Sequence, residues 1–184
     1  MTEKIDGTNA QIFITEDGEM LVGSRTRWIT PAADNHGFAR WCAEHREELM
    51  KLGPGRHFGE WWGSGIGRGY GLKKGDKRLS LFNVTRWCMA DEEPKRIPCG
   101  DPRTVKMQER LPIVPGLGLV PELMQRVPFE SKYVDWALDT LAKYGSRAAP
   151  GFMRPEGIVC FHVAANCGFK KTLERDDAPK SLSA

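Results

Sequence analysis

Two short apolar runs, Ala10-Gln11-Ile12-Phe13-Ile14-Thr15 and Met20-Leu21-Val22-Gly23, flank the polar Glu16-Asp17-Gly18-Glu19. This pattern predicts two strands joined by a tight Asp-Gly turn. From Phe38 to Leu52 the period changes. Phe38, Trp41, Cys42, His45, Leu49 and Leu52 recur at helical spacing, with Asp34 or Asn35 upstream and Gly53-Pro54 as a stop. An amphipathic helix is expected there, its aromatic rings in the core.

Strand-like runs return at Arg56 to Trp62 and Arg78 to Trp87. Between them lie a glycine-rich stretch, Gly63 to Gly71, and the basic Lys73-Lys74-Gly75-Asp76-Lys77-Arg78. From Asp91 to Pro128 prolines and glycines interrupt every apolar run, so short strands and loops are expected, with one helical turn at Pro121 to Gln125. A second helix is predicted from Ser131, as N-cap, to Tyr144, with Gly145 as its stop. Strands follow at Gly157 to Val163 and Gly168 to Leu173, then a polar tail from Glu174 to Ala184. Strands dominate without a regular βαβ alternation, which favours a mixed α+β domain with mostly antiparallel sheets flanked by helices.

A chain of 184 residues, 40% hydrophobic, supports one sizeable core, so a single domain is expected over residues 1–173 with residues 174–184 as its tail. No run approaches the roughly 20 apolar residues of a membrane span, and Met1-Thr2-Glu3-Lys4 lacks the apolar core of a signal peptide; a cytoplasmic protein without membrane contact is expected. Five cysteines, Cys42, Cys88, Cys99, Cys160 and Cys167, form no CxxC pair, which argues against a disulfide framework. Cys160, His162 and Cys167 are read as residues of neighbouring strands, with no zinc assigned. The net charge of +3 suits a polyanionic partner without requiring one.

The segment Glu3-Lys4-Ile5-Asp6-Gly7-Thr8-Asn9 carries the first candidate chemistry. If it is extended, Lys4 and Asp6 share one face and Ile5 turns to the core. By itself this reads as an exposed salt bridge before a turn. Further motifs change that weighting: Ser24-Arg25-Thr26-Arg27, Phe58-Gly59-Glu60-Trp61, Leu81-Phe82-Asn83-Val84, Glu156-Gly157-Ile158-Val159 and Phe169-Lys170-Lys171-Thr172 follow in order. Together with Lys-x-Asp-Gly they resemble the covalent nucleotidyltransferases, the ATP-dependent ligases and mRNA capping enzymes. The resemblance spans Glu3 to Thr172, and its strength lies in the order of five or six motifs, each weak alone.

The resemblance implies an adenylyltransferase domain of ATP-grasp-like fold in which Lys4 attacks the α-phosphorus of ATP and becomes linked to AMP. A lysine amine attacks only when neutral, so cations nearby are needed, and Lys170, Arg25 and bound Mg²⁺ or Mn²⁺ are the candidates. Glu60 would accept from the ribose hydroxyls, Phe82 would stack on adenine, and Arg25 would contact sugar or phosphate, with Glu3 also at the nucleotide. Glu156, Asp6 and Asn9 would hold the metal or its waters. Each has a plainer reading: Glu60 and Glu156 as edge-strand charges, Phe82 as core, Arg25 as a surface cation. In the last motif strand alternation puts Lys170 and Thr172 on one face and Lys171 on the other, which favours Lys170.

The glycine-rich stretch lacks the spacing of a phosphate loop and is read as a flexible loop; Arg68, Lys73 and Lys74 with Tyr70 could meet a nucleic-acid backbone and stack a base, or form a solvated basic turn. Only a dozen polar residues follow Thr172, so no C-terminal OB domain is expected. The form Lys-x-Asp-Gly-Thr-Asn resembles the RNA ligase class typified by bacteriophage RNA ligase 2. It implies AMP transfer to a 5′-phosphate end and attack by a 3′-hydroxyl. The alternatives are sealing of DNA nicks and a non-catalytic nucleic-acid-binding relative. Three residues precede Lys4, from which weak or partner-dependent sealing is expected.

Overall fold

The Asp-Gly signal forms a hairpin: strand β2 (Thr8–Ile14) pairs antiparallel with β3 (Met20–Gly23), and Gly18 adopts the φ of 82° that the turn requires. The computed structural model describes residues 1–87 and 111–174. Cys88, Cys99, the whole tail beyond Glu174 and the loop-rich stretch from Asp91 to Arg110 lie outside the described residues. Contacts divide the chain into two compact units: residues 1–5 and 120–174, and residues 6–87 and 111–119. The whole is a mixed α+β fold. Among the described residues no helix is long and apolar enough to cross a membrane.

The larger unit holds a six-stranded sheet ordered β4-β3-β2-β5-β6-β7, with β4 (Trp28–Ile29), β5 (Gly55–Gly63), β6 (Lys77–Leu81) and β7 (Leu117–Leu119). Every pairing is antiparallel except β6 with β7. One face buries Ala10, Ile12, Ile14, Trp61, Leu79 and Leu81 against the helical stretch after residue 37. The predicted helix is two, α1 (Phe38–Glu44) and α2 (Arg46–Leu49), followed by a 3₁₀ turn at Met50–Leu52. The break falls at His45, whose φ of −114° leaves helical space, and it lets Phe38, Cys42, Leu49 and Leu52 reach one core. Asp34 acts as the start signal, accepting the Ala39 amide at 2.8 Å and the Arg40 amide at 3.1 Å. Burying Trp61 and Phe38 contributes about 1.5–3 kcal/mol each.

The strand expected from Arg78 to Trp87 stops at Leu81. Pairing with β5 ends at Gly59↔Leu81, and α3 (Val84–Trp87) turns Val84 and Trp87, three apart, into the interior.

In the smaller unit β1 (Thr2–Lys4), β8 (Gly157–His162) and β9 (Cys167–Thr172) form an antiparallel sheet ordered β1-β8-β9. Helix α4 (Ser131–Tyr144) packs Ala137, Leu138 and Leu141 on Ile158 and Cys160. Ser131 is its first helical residue rather than its cap, and Gly145, at φ 78°, stops it. No helical turn forms at Pro121 to Gln125, because the Leu123 and Met124 amides donate to the Met1 carbonyl, and the Pro121 carbonyl takes the Glu3 amide.

Candidate active site

Strand pairing decides which side chains of the smaller unit meet. Lys4 lies opposite Gly157, which lies opposite Thr172; two positions along, Thr2, Val159 and Lys170 are partners. Directly paired residues share a face, so Lys4, Thr172 and Lys170 lie on one face of the sheet. Strand spacings put the Lys4 and Lys170 backbones about 12 Å apart. The Lys4 Nζ donates to Glu156 Oε2 at 2.5 Å, and both side chains are mostly buried, 24% and 13% exposed. The partner the structure gives this amine is thus a carboxylate, where the sequence suggested cations. Gly157 is needed between them: a Cβ there would run into the Lys171 carbonyl and lie 2.7 Å from Thr172 Cα.

The opposite face carries Glu3, Ile158 and Lys171. Lys171 reaches Asp135 of α4 at 3.2 Å. Glu3 is 1% exposed and inside the fold, its carboxylate accepting Ser146 Oγ at 2.5 Å and the amides of Arg147 and Ala148 at 2.7 and 3.0 Å. Burial raises its pKa above the usual carboxylate range, and these three donors oppose the rise. Ser146 and Arg147 escaped the sequence reading. The helix stop at Gly145 is the only local signal near them.

In the larger unit, Asn9, Glu60, Ser80 and Gly118 form a row across β2, β5, β6 and β7 on the face away from the helices. Glu60 therefore sits on an interior strand, not an edge. Gly7 lets this packing close, since a Cβ there would be 2.5 Å from the Trp61 carbonyl oxygen and 2.9 Å from Glu60 Cγ. The Asp6 Oδ2 accepts the Arg68 amide at 3.1 Å and lies 3.6 Å from the guanidinium Nε. Its own amide donates to the Tyr70 hydroxyl at 2.8 Å.

That contact corrects the glycine-rich loop. Tyr70, 2% exposed with its ring edge-on to Trp62 at 5.1 Å, is core and cannot stack a base, and the loop is folded against Asp6 instead of loose. Lys73 and Lys74 are exposed. Arg25 is exposed in the turn between β3 and β4. Phe82, one residue beyond β6, is 42% exposed rather than core, and with Arg56, His57, Phe58, Asn83 and Arg86 it lines a cavity of about 400 Å³. His57 is buried there; its Nε2 meets the Gly53 carbonyl at 2.9 Å, and its Nδ1 has no hydrogen-bond partner among the described residues. Desolvation, with a smaller push from Arg86, lowers its pKa against the Gly53 bond.

Of the metal ligands named from sequence, Glu156 belongs to the smaller unit and Asp6 and Asn9 to the larger. Among the described residues no cluster of three or more His, Cys, Asp or Glu side chains converges on a metal-sized site. A hard cation that keeps its waters and binds phosphate oxygens needs only one or two carboxylates, so Glu156 fits a Mg²⁺ or Mn²⁺ that arrives with a triphosphate.

The chain matches the model of one protein family, described as RNA ligase, over residues 1–170. No curated protein and no solved structure matches it.

Proposed function

Because the chain belongs to the RNA ligase family, we propose that it joins RNA ends through a covalent Lys4–AMP intermediate made from ATP, on a nucleotidyltransferase fold. The observation that carries this reading is the Lys4–Glu156 contact at 2.5 Å, on a sheet face shared with Lys170 and kept open by Gly157.

Glu156 orients the Lys4 amine. As Nζ gives up a proton to the Glu156 carboxylate it attacks the α-phosphorus, an N–P bond forms, and the bond to pyrophosphate breaks as pyrophosphate leaves with the charge that Lys170 offsets. A divalent cation held through Glu156 and the phosphates would supply further positive charge there. AMP then passes from Lys4 to a 5′-phosphate, restoring the amine. A 3′-hydroxyl attacks that phosphate, and AMP leaves as the phosphodiester forms. In the larger unit Glu60 would accept from the ribose, Phe82 would stack on adenine, Arg25 would meet sugar or phosphate, and Asn9 and Asp6 would order the residues after Lys4. Glu3, enclosed by its three donors, would act by fixing β1 beside the base.

Protein incubated with α-labelled ATP and Mg²⁺ should gain a label that is stable to alkali and lost in acid, as an N–P bond is. Lys4→Ala should abolish it, and Lys170→Ala should slow it by roughly 100- to 1000-fold, the usual size of a lost transition-state charge contact. An unlabelled wild type, or a labelled Lys4→Ala, overturns the reading. Sealing of nicked RNA in preference to nicked DNA tests the substrate class.

A further inference from the structure

The six-stranded sheet turns a further set of side chains to solvent, starting beside the cavity that Phe82 lines and running toward β4. Register places Trp28, Gly23, Gln11 and Phe58 in one row and Leu21, Phe13 and Arg56 in the next. The Arg56 guanidinium lies over the Phe13 ring at 4.8 Å and over the Trp28 ring at 5.3 Å, and its NH1 donates to Gln11 Oε1 at 2.9 Å. The two rings stack on each other, centroids 6.3 Å apart at 29°. Trp28, Phe58 and Leu21 are 47%, 51% and 41% exposed, a concentration of bare apolar side chains, two of them aromatic, that a sheet face kept in water does not need.

Flat rings overlaid by a planar cation, with an amide side chain between them, are the chemistry of base stacking: any base has a π-face, and guanidinium planes stack on bases as aromatics do. Cations flank the platform. Arg27 is exposed in the turn that leads into Trp28, and Arg86 shares the adjoining cavity with Arg56 and Phe58. The acidic turn Glu16-Asp17-Gly18-Glu19 bounds the hairpin's far end and would repel a phosphate chain there, leaving the path from Arg27 across Arg56 toward Arg86.

We propose that Trp28, Arg56, Phe13 and Phe58 form a stacking platform that holds an unpaired stretch of the RNA strand to be joined. The proposal rests on the RNA ligase reading and names where that substrate is held before sealing. Stacking is worth about 1–3 kcal/mol per base, which corresponds to a loss of roughly 5- to 150-fold in affinity when a ring is removed.

The test is fluorescence anisotropy of a labelled 5′-phosphorylated single-stranded RNA of ten nucleotides, without ATP, alongside Lys4 labelling by ATP without RNA. Trp28→Ala and Arg56→Lys should each weaken RNA binding at least fivefold, while Trp28→Phe, which keeps a ring, should bind within twofold of wild type. Trp28→Ala should label with ATP at the wild-type rate, which also shows that it is folded. RNA affinity unchanged in both Trp28→Ala and Arg56→Lys, or equal loss in Trp28→Phe and Trp28→Ala, overturns the platform. Absence of ATP labelling in the wild type refutes the ligase reading instead and leaves the binding result to be judged alone.

Discussion

Gly7→Ala adds a single methyl group, and the structure gives its cost. The new Cβ would sit 2.5 Å from the Trp61 carbonyl oxygen, and 2.9 Å from both Glu60 Cγ and Trp62 Cβ. Ordinary contact begins near 3.4 Å, so backbone must move by 3.4 − 2.5 = 0.9 Å. Residue Trp61 cannot yield cheaply, because it is paired on both sides, with Thr8 and with Leu79. Overpacking of this kind costs about 1–3 kcal/mol. At about 2–4 °C per kcal/mol for a chain of this size, the melting temperature should fall by roughly 4–8 °C at the middle of that range. Glu60 Cγ, 3.4 − 2.9 = 0.5 Å inside ordinary contact, is pushed by the same methyl, and on the proposed reading, in which Glu60 holds the ribose, a shift of that size should slow labelling by roughly tenfold.

Circular dichroism melts and the ATP-labelling rate check both parts. Gly118→Ala is the control, since nothing lies within 4 Å of its added Cβ, and it should melt with the wild type. If Gly7→Ala melts within a degree of wild type and labels at the same rate, the steric account of the Lys-x-Asp-Gly glycine is wrong.

Glu3→Ala leaves the Arg147 and Ala148 amides without their acceptor and should cost about 2–4 kcal/mol in urea unfolding; a loss under 0.5 kcal/mol would show that those bonds matter little. The lowered pKa of His57 means that the unfolded chain takes up a proton before the folded one as pH falls, so its contribution is whole above about pH 6.5 and is lost below that. The stability gap between wild type and His57→Gln, which keeps a donor for the Gly53 carbonyl, should therefore shrink from pH 7.5 to pH 5, and a pH-independent gap refutes this. Lys171→Ala removes an exposed pair with Asp135 and should change neither stability nor ATP labelling beyond a few tenths of a kcal/mol, in contrast to Lys170→Ala.

What the sequence determined by itself was local. The hairpin at Asp17-Gly18, helix α4 with its stop at Gly145, and the β8–β9 pair were legible because turn chemistry and periodicity act over a few residues. The order of the motifs pointed to the family that the RNA ligase model then matched. Alternation along β9 likewise separated Lys170 from Lys171 before any partner strand was known.

The tertiary structure decided which distant groups meet. Lys4 finds Glu156 across 152 positions, Glu3 finds Ser146 across 143, and the Asp6 amide finds Tyr70 across 64. No periodicity encodes such pairs, since they follow from which strands adjoin and in what register. The same holds where local pattern failed. The run after Leu81 looked like continuing strand, yet once the Phe82 amide has donated to the Phe58 carbonyl of β5 the chain turns away, and burial of Val84 and Trp87 favoured a helical turn. Tyr70 read as a solvent-facing ring in a glycine-rich loop, until Trp62 and the Asp6 amide gave its ring and hydroxyl a buried place. Propensity is a weak local term, and burial with satisfied hydrogen bonds outweighs it once the chain has closed on itself.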